Sequence, residues 1–459
     1  MIRIWFTILL AAGAAAQQPD ATAPEPQDQP SGGNDPSDRW SIFYQATSIG
    51  DYHPAFPALY TGAFSLQPHE EQDVSLTTTL FLGYRLSDNA QIYLDPEIAG
   101  GRGFSGVNGL ANAANGELPR VASATPKPYL ARAYITYDFG FGDAREAVES
   151  DANQLAGSRP ETRYSITLGR FSATDFFDDN RYSHDPRTQF MGWAVMYNGA
   201  WDYPADTRGY TWGWVHEFHT KNWSLRYGSF AEPRVANGLR FDRRLFRDRG
   251  DNFEEEMDHS FHGHPGAIRF LQFLLHTDSG SYAEALQLSE QNGTRPNMVA
   301  TREVGRLKYG AGISWDQEVT KNVGIFGRLG WNDGKTESFA FTAMDRLATA
   351  GVSVTGARWN RPKDVVATEL TVGGISGVHA LYLARGGYDF LIGDGALQYA
   401  PEYSWESYYS ARLFQGFVGS LDVQHIANPA YNQDRGPVWV FSLRLHMEYG
   451  RGSAGRRGP

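Results

Sequence analysis

The stretch Val438-Trp-Val-Phe-Ser-Leu-Arg-Leu-His-Met-Glu-Tyr449 indicates the fold most directly. Every second residue from Trp439 to Tyr449 is apolar. Most of the residues between them are polar or charged: Ser442, Arg444, His446 and Glu448. This period of two is typical of a β-strand with one apolar and one polar face. Soluble strands usually have about five or six residues, whereas strands of about 9–11 residues suit a tilted bilayer crossing.

The same alternation recurs from Asp73 onward and predicts an all-β fold, a transmembrane antiparallel β-barrel of about 16 strands. The predicted strands are 73–86, 90–99, 129–140, 162–171, 190–201, 209–219, 222–231, 266–278, 305–319, 322–332, 336–344, 350–357, 364–374, 401–413, 416–427 and 437–449. Aromatic residues lie near their ends, as a membrane-interface girdle requires: Tyr84, Tyr129, Phe139, Trp315, Trp331, Trp439 and Tyr449.

Non-strand segments complete the predicted barrel domain, residues 39–449. Residues 99–128 and 235–265 are long enough to fold inward and narrow the bore. One short loop helix is predicted near 376–386, because Val378, Leu381 and Tyr382 share a helical face and Ser376 is a plausible N-cap.

Composition excludes several classes of protein. The chain of 459 residues is 14% aromatic, which argues against a disordered protein. Its net charge of -11 argues against nucleic acid as a partner, because duplex binders need a basic face. The absence of cysteine excludes disulfides, thiolate metal sites and a cysteine nucleophile.

The N-terminus predicts export. Arg3, the apolar run 4–12 and the Ala14-Ala-Ala16 site are typical of a cleaved signal peptide, residues 1–16. Residues 17–38 form a Pro/Gln-rich segment that we expect to be disordered. At the other end, residues 450–459 form a basic C-terminal tail after Tyr449.

A secreted, soluble β-rich protein that binds or hydrolyses carbohydrate is the alternative, because its strands alternate in the same way. In this alternative, the carboxylates Glu402 and Glu406 are the candidate glycosidase pair. Four residues apart on one strand, they lie about 13 Å apart, beyond the roughly 5–9.5 Å that a glycosidase needs. We therefore predict no catalytic residues and no enzyme activity.

Two further motifs predict no cofactor and no metal. Gly101-Arg-Gly-Phe-Ser-Gly106 matches G-x-G-x-x-G, but no helical pattern follows it, so a Gly-rich loop is the better interpretation. His259, His262 and His264 match no defined metal spacing, and we expect them in an exposed loop.

Alternation assigns charges of both signs to the inner wall. The basic residues are Arg85, Arg132, Arg226, Arg306, Lys308, Arg328, Arg412 and Arg444. The acidic residues are Asp95, Glu97, Asp138, Asp316, Glu318, Glu369, Glu402, Glu406, Asp422 and Glu448. A wall of mixed charge selects neither sign of ion strongly. Mixed charges and aromatic rings instead suit a neutral polyol, so we expect weak ion selectivity and a polar, sugar-sized eyelet.

Ordered motifs from about Trp40 to Tyr449 resemble the carbohydrate-selective porin family, the OprB type. They are Tyr93-Leu-Asp-Pro-Glu-Ile-Ala-Gly-Gly-Arg-Gly-Phe-Ser-Gly-Val-Asn-Gly109, Asn115-Gly-Glu-Leu-Pro-Arg120, Asp175-Phe-Phe-Asp-Asp-Asn180, Trp359-Asn-Arg-Pro362, Gly393-Asp-Gly395 with Pro401-Glu402, and Asn428-Pro-Ala-Tyr-Asn-Gln-Asp-Arg-Gly-Pro437. The resemblance implies a bacterial outer-membrane barrel through which sugars diffuse into the periplasm.

The resemblance also implies a charged constriction that contains Glu97, Arg102, Arg361 and Glu402. With the inward-facing residues and the Trp359 motif, the predicted sugar contacts are Glu97, Arg102, Arg132, Arg328, Trp359, Arg361, Glu402, Glu406 and Arg444. The expected partners are mono- or oligosaccharides and outer-membrane lipid, and the expected assembly is a monomer or a homotrimer.

Overall fold

The computed structural model describes residues 37–118, 123–244 and 246–452. Within these residues, sixteen antiparallel strands close into one barrel, each hydrogen-bonded to its neighbours along the chain, with β1 also paired to β16. The strands are β1 (Trp40–His53), β2 (Glu71–Ser87), β3 (Ala90–Gly100), β4 (Lys127–Val148), β5 (Gly157–Phe171), β6 (Thr211–His219), β7 (Trp223–Ala231), β8 (Arg249–Phe261), β9 (His264–Ser279), β10 (Glu303–Thr320), β11 (Val323–Asn332), β12 (Arg346–Gly356), β13 (Arg361–Gly374), β14 (Glu402–Phe414), β15 (Phe417–Ala427) and β16 (Val438–Gly452).

The connections alternate between short and long, which orients the barrel. The short turns share one end with the start of β1 and the end of β16, and in outer-membrane barrels short turns are periplasmic. The long connections are L1 (54–70), L2 (101–118 and 123–126), L3 (172–210), L4 (232–244 and 246–248), L5 (280–302), L6 (333–345), L7 (375–401) and L8 (428–437).

Three helices lie in the long connections: α1 (Trp193–Met196), α2 (Tyr282–Asn292) and α3 (Gly377–Ala384). Single 3-10 turns occur at Phe104–Gly106, Ala173–Asp175, Met298–Thr301, Ala357–Trp359 and Pro429–Tyr431. The loop helix predicted near 376–386 is confirmed as α3, and the Ser376 side chain caps it by accepting from the His379 N–H.

The predicted barrel is confirmed, but four of its segments were assigned wrongly. Residues 190–201 and 336–344 lie in L3 and L6 rather than in strands, although 190–201 includes the short helix α1. The strands β1 and β8 were missed. In β1 the outward face contains the small residues Ala46, Ser48 and Gly50, so the apolar pattern is weak. In β8 three consecutive glutamates interrupt the alternation of apolar and polar residues.

The segment 235–265, predicted as an inward-folding loop, is mostly the hairpin of β8 and β9. His262 lies in the exposed turn His262-Gly263, as expected, whereas His259 and His264 lie in the strands. Both turn residues have positive φ, 51° and 82°, which matches a two-residue hairpin turn.

A β-bulge in β4 reverses the expected direction of Tyr129. Asp95 pairs with Arg132 but Pro96 pairs with Leu130, so Ala131 is an extra residue on β4. Strict alternation predicts Tyr129 on the outer face, among the aromatic residues of the membrane interface. The bulge turns it into the lumen opposite Glu97.

The interior of the barrel contains an apolar core as well as polar walls. On β9 the inward residues Leu271, Phe273 and Leu275 are buried against aromatic residues of L3, including Trp201 and Tyr203. This explains why β9 has apolar residues on both faces: one face contacts lipid and the other contacts a folded loop.

The outer surface is a belt of exposed apolar side chains, as a lipid-facing wall requires. Aromatic residues lie toward the extracellular ends of the strands, including Trp212, Tyr309, Trp331 and Trp439. No helix in the described part of the chain is long and apolar enough to cross a membrane.

The predicted signal peptide, nearly all of the 17–38 segment and the last seven residues lie outside the described residues. The strand β16 extends to Gly452, so the first three residues of the predicted C-terminal tail belong to the barrel wall.

Candidate translocation pathway

Arg328, on the lumen face of β11, holds L3 against the wall. Its guanidinium is fully buried and donates to the Asp178 carboxylate at 2.9 Å, the Ser183 carbonyl at 2.6 Å and the Val195 carbonyl at 2.7 Å. Asp178 also uses its backbone N–H to donate to Glu254 of β8 at 2.7 Å. The loop is thereby tied to two separate parts of the barrel.

Two further predicted residues bind the same loop from other strands of the wall. Arg444 of β16 donates to the carbonyls of Pro186 at 2.8 Å and Gln189 at 2.5 Å. Glu406 of β14 accepts from the backbone N–H groups of Met191 at 2.5 Å and Gly192 at 2.8 Å. With Arg328, these contacts fix L3 across the lumen.

Glu402 performs the same task for L2. Its carboxylate accepts from the N–H groups of Ala111 at 3.0 Å, Asn112 at 2.7 Å and Ala430 of L8 at 2.7 Å. This confirms that part of the segment 99–128 folds inward. The buried carboxylate is stabilised because it accepts several N–H donors.

Glu97 of β3 lies at the centre of a buried network. It accepts from Thr79 at 2.5 Å and from the Tyr129 hydroxyl, and Arg187 of L3 approaches it at 3.1 Å. The Tyr210 hydroxyl also donates to it at 3.3 Å. Glu97 therefore organises the wall together with the loop.

Arg187 has acidic partners on two sides. Its Nη2 lies 3.1 Å from Glu97, and its Nε lies 3.1 Å from Glu117 of L2. Burial alone would lower the pKa of Arg187, but Glu117 and Glu97 raise it well above its ordinary value. Arg187 is therefore a fixed positive charge that joins L3 to L2 and β3.

Arg132 is the predicted residue that remains partly open to the lumen, with 15% of its side chain exposed. It donates to both oxygens of Asp175 at 2.7 and 2.6 Å and lies 3.5 Å from Asp95. Burial would raise the pKa of Asp175, but Arg132 holds it below its ordinary value. Both charges of the pair are therefore partly exposed.

Aromatic rings accompany these charges. The Arg132 guanidinium lies 5.3 Å from the centre of the Tyr210 ring, and the Arg208 guanidinium lies 4.2 Å from that of Tyr129. Such stacked cations and rings keep the guanidinium groups in place. Charged groups and aromatic rings therefore lie side by side on this surface.

Asp175 also lines a polar cavity of about 450 Å³ that is bounded by β2–β7, the turn between β4 and β5, and L3. Its charged lining consists of four arginines and four carboxylates with one histidine: Arg85, Arg159, Arg163, Arg226, Asp138, Asp175, Asp179, Glu217 and His219. The rings of Tyr134 and Phe176 complete it. The equal numbers of acidic and basic groups extend the mixed character of the wall.

The remaining three predicted residues lie apart from this group. Arg102 is exposed in L2, where its N–H donates to Asp73 at 2.8 Å. Trp359 lies in the periplasmic turn between β12 and β13, and Arg361 is the first residue of β13, where it binds Asp364 at 2.8 Å. The structure does not bring these three together with Arg132.

Several residues of this candidate pathway are not among the predicted sugar contacts: Tyr129, Asp175, Arg187, Arg208 and Tyr210. Tyr129 was hidden by the bulge, and the others lie on L3, where no alternation assigns a direction. Asp175 was part of a family motif, and this was the one signal that could have identified it.

No group of His, Cys, Asp and Glu side chains in the described residues could hold a metal ion. The Gly101–Gly106 segment is a loop with one 3-10 turn after β3, and Gly103 and Gly106 have positive φ of 74° and 70°. Glycine is needed there because side chains disfavour that backbone conformation.

Comparison with known proteins identifies the family. The model of the carbohydrate-selective porin family, OprB, matches residues 64–449. The comparison with curated protein sequences gives no match. Among solved structures, the high-pH structure of Pseudomonas putida OprB is 14% identical with a TM-score of 0.65, covering 89% of this chain and 94% of that chain. The outer membrane channel DcaP of Acinetobacter baumannii is 7% identical with a TM-score of 0.49, covering 89% and 96%.

At these identities the structural likeness shows the fold, and the family match covers most of the chain. The closed barrel does not favour the soluble carbohydrate-binding or glycosidase alternative. The chain belongs to the OprB family of carbohydrate-selective porins, channels for the passive diffusion of sugars across the bacterial outer membrane.

Proposed function

We propose that sugars cross this porin between L3 and the walls β3–β7, and that the Arg132–Asp175 pair contacts their hydroxyl groups. The observation that carries this proposal is the partial exposure of Arg132 while it is bound to Asp175, which itself lines the polar cavity. Arg328 and Arg444, two lumen-wall arginines that are also among the predicted sugar contacts, are occupied by L3.

A sugar binds weakly in such a passage. Each hydroxyl exchanges water for Arg132 or Asp175, and a charged hydrogen bond contributes about 1.5–3 kcal/mol at most. The Tyr210 ring offers an apolar face to sugar C–H groups. Weak contacts of this kind allow the sugar to leave, as conduction requires.

The other predicted contacts have different roles in this proposal. Glu97, Arg328, Glu402, Glu406 and Arg444 hold the loops that shape the passage. Arg102, Trp359 and Arg361 lie apart from this passage, and the proposal assigns them no contact with the sugar. The barrel has no catalytic activity, sits in outer-membrane lipid, and works as a monomer or as a homotrimer of separate channels.

Liposome swelling with a panel of neutral sugars tests the role of Arg132. In Arg132→Gln, we expect discrimination between sugars of similar size to fall by about tenfold, which corresponds to roughly 1.4 kcal/mol. Single-channel conductance should rise modestly because the side chain is smaller and Asp175 is released.

Arg361→Gln is the matched control, since it removes the same charge at the periplasmic end of β13. It should preserve the discrimination of the parent. An equal loss of sugar discrimination in both variants, or unchanged discrimination in Arg132→Gln, would contradict the assignment of Arg132 as a sugar contact.

A further inference from the structure

A groove of about 370 Å³ indents the outer surface where β5, β6 and β7 reach their extracellular ends. The residues that line it are Leu168, Gly169, Trp212, Gly213, Trp214, Ser229, Phe230, Ala231 and Arg249. Nearly all of them are apolar or small, and Arg249 is the one charged residue among them.

The groove faces the lipid side of the wall. Leu168 and Trp212 are 54% and 49% exposed, whereas Arg170, at the extracellular end of β5, is buried where it binds Asp206 of L3 at 2.7 Å. At Gly213 the Phe230 ring takes the space of a side chain, because a Cβ there would approach that ring to 2.6 Å. Tryptophan walls with a small-residue floor form a slot that suits an extended hydrocarbon chain.

The extracellular end of the groove is basic. One third of the Arg249 side chain is exposed, although it binds Asp251 at 2.9 Å and donates to the Phe246 carbonyl at 2.9 Å. Arg247, two residues earlier, is exposed, and its side chain has no ion pair among the described residues. Their Cα atoms are at most about 7 Å apart, so two cations lie at the same edge of the belt.

Phe246, which precedes Arg247 in the chain, is 95% exposed. An aromatic ring beside arginines at the edge of a lipid belt is typical of a membrane-interface contact. Water solvates such a ring poorly, so its exposure indicates a surface that lipid covers.

We propose that this groove binds a phosphate-bearing anionic lipid of the outer leaflet. An acyl chain lies between Leu168, Trp212 and Trp214, and the phosphate accepts hydrogen bonds from Arg247 and Arg249. Guanidinium groups bind phosphate through two parallel N–H donors. Basic residues at a membrane surface attract anionic headgroups in the same way. A second copy of the chain is a weaker occupant, because its outer belt offers few carboxylates to pair with these arginines.

The test uses the full-length porin, delipidated in detergent and titrated with purified lipopolysaccharide while tryptophan fluorescence is recorded. The double variant Arg247→Gln/Arg249→Gln should bind about tenfold or more weakly than the parent. Ala231→Phe, which fills the groove, should weaken binding without removing charge. Dephosphorylated lipopolysaccharide should bind the parent as weakly as intact lipid binds the double variant.

Arg346→Gln is the control, because Arg346 is an exposed arginine at the extracellular start of β12 on another part of the rim. It should bind like the parent. Sugar swelling rates should be unchanged in every variant, which shows that the barrels are folded.

Equal binding by the parent and the double variant would overturn the proposal. So would full competition by inorganic phosphate alone, since the acyl chain would then contribute nothing. A native mass that shows a dimer in the parent and a monomer in the double variant would assign the groove to a second copy instead.

Discussion

Arg132 and Arg328 are both lumen-facing arginines, but their surroundings give them different roles. Arg328 is fully buried and all of its donor directions are used by L3. Arg132 keeps part of its surface open while one side binds Asp175. The alternation of apolar and polar residues identifies both side chains as inward-facing. Only the path of L3 distinguishes Arg132, the proposed sugar contact, from Arg328, which anchors the loop.

Replacing Arg328 by Ala should release part of L3. The change leaves Asp178 as a buried carboxylate without its guanidinium, and breaking a buried pair in this way costs about 3–5 kcal/mol. Thermal stability should fall and single-channel conductance should rise and become noisy. Arg361→Ala is the comparison; a similar loss of stability there would show that the effect does not depend on L3.

His379 in α3 is a second residue whose charge depends on its neighbours. Its Nδ1 lies 3.1 Å from Asp345 and its Nε2 lies 3.2 Å from Asp389, while its ring stacks on Tyr282 at 4.2 Å. Burial alone would lower its pKa, but the two carboxylates raise the pKa of His379 to about 9. The charged imidazole therefore joins L5, L6 and L7.

The stability of these loops should depend on pH. Because the folded pKa is raised, the contribution of His379 is complete below its ordinary value of about 6.5 and is lost as the pH rises through about 9. Hydrogen exchange of residues 377–384, corrected for intrinsic rates, should show falling protection across that range. His379→Gln should be less protected at pH 6 and should lack this dependence; an identical profile in both proteins would refute the assignment.

At the scale of elements, β8 differs from the other strands in its outer face. Glu254 accepts from L3 and Glu256 binds Arg226 at 2.5 Å and Arg269 at 3.0 Å, so both point inward. Glu255 between them points outward, beside Leu225 on β7 and opposite Phe270 on β9. It is exposed in the middle of the strand, where the lipid belt is apolar.

Glu255→Leu should stabilise the barrel by about 1 kcal/mol, since a charged side chain on the lipid face is unfavourable near the bilayer centre. Denaturant unfolding in lipid vesicles measures this change. Glu256→Leu is the matched control on the adjacent residue, and it should destabilise the barrel because Arg226 and Arg269 lose a carboxylate. A loss of stability in Glu255→Leu would show that Glu255 has a favourable partner.

The elements that sequence predicts are those with one uniform environment on each face. β16 has lipid outside and polar lumen inside, so its alternation is complete. β8 and β9 deviate, because Glu255 faces lipid and Leu271 faces a folded loop. The bulge at Ala131 and the path of L3 depend on long-range pairing, which no local pattern encodes, and for this reason most of the pathway residues on L3 were missed.

At the scale of the whole molecule, the polar cavity balances four arginines against four carboxylates. Neither sign of small ion is favoured in such a channel. In planar bilayers with a tenfold salt gradient, we expect a reversal potential close to zero. Strong anion selectivity would contradict the proposed route, because it requires a passage with an excess of basic groups.

The attachment of L3 to three strands of the wall through Arg328, Glu406 and Arg444 has a consequence for the cell. The aperture is set when the chain folds, because moving L3 requires breaking several buried ionic contacts at once. Each inserted barrel therefore has one fixed permeability, and sugar entry scales with the number of barrels in the membrane. Supply is then adjusted through synthesis and turnover of the porin rather than by opening and closing individual channels.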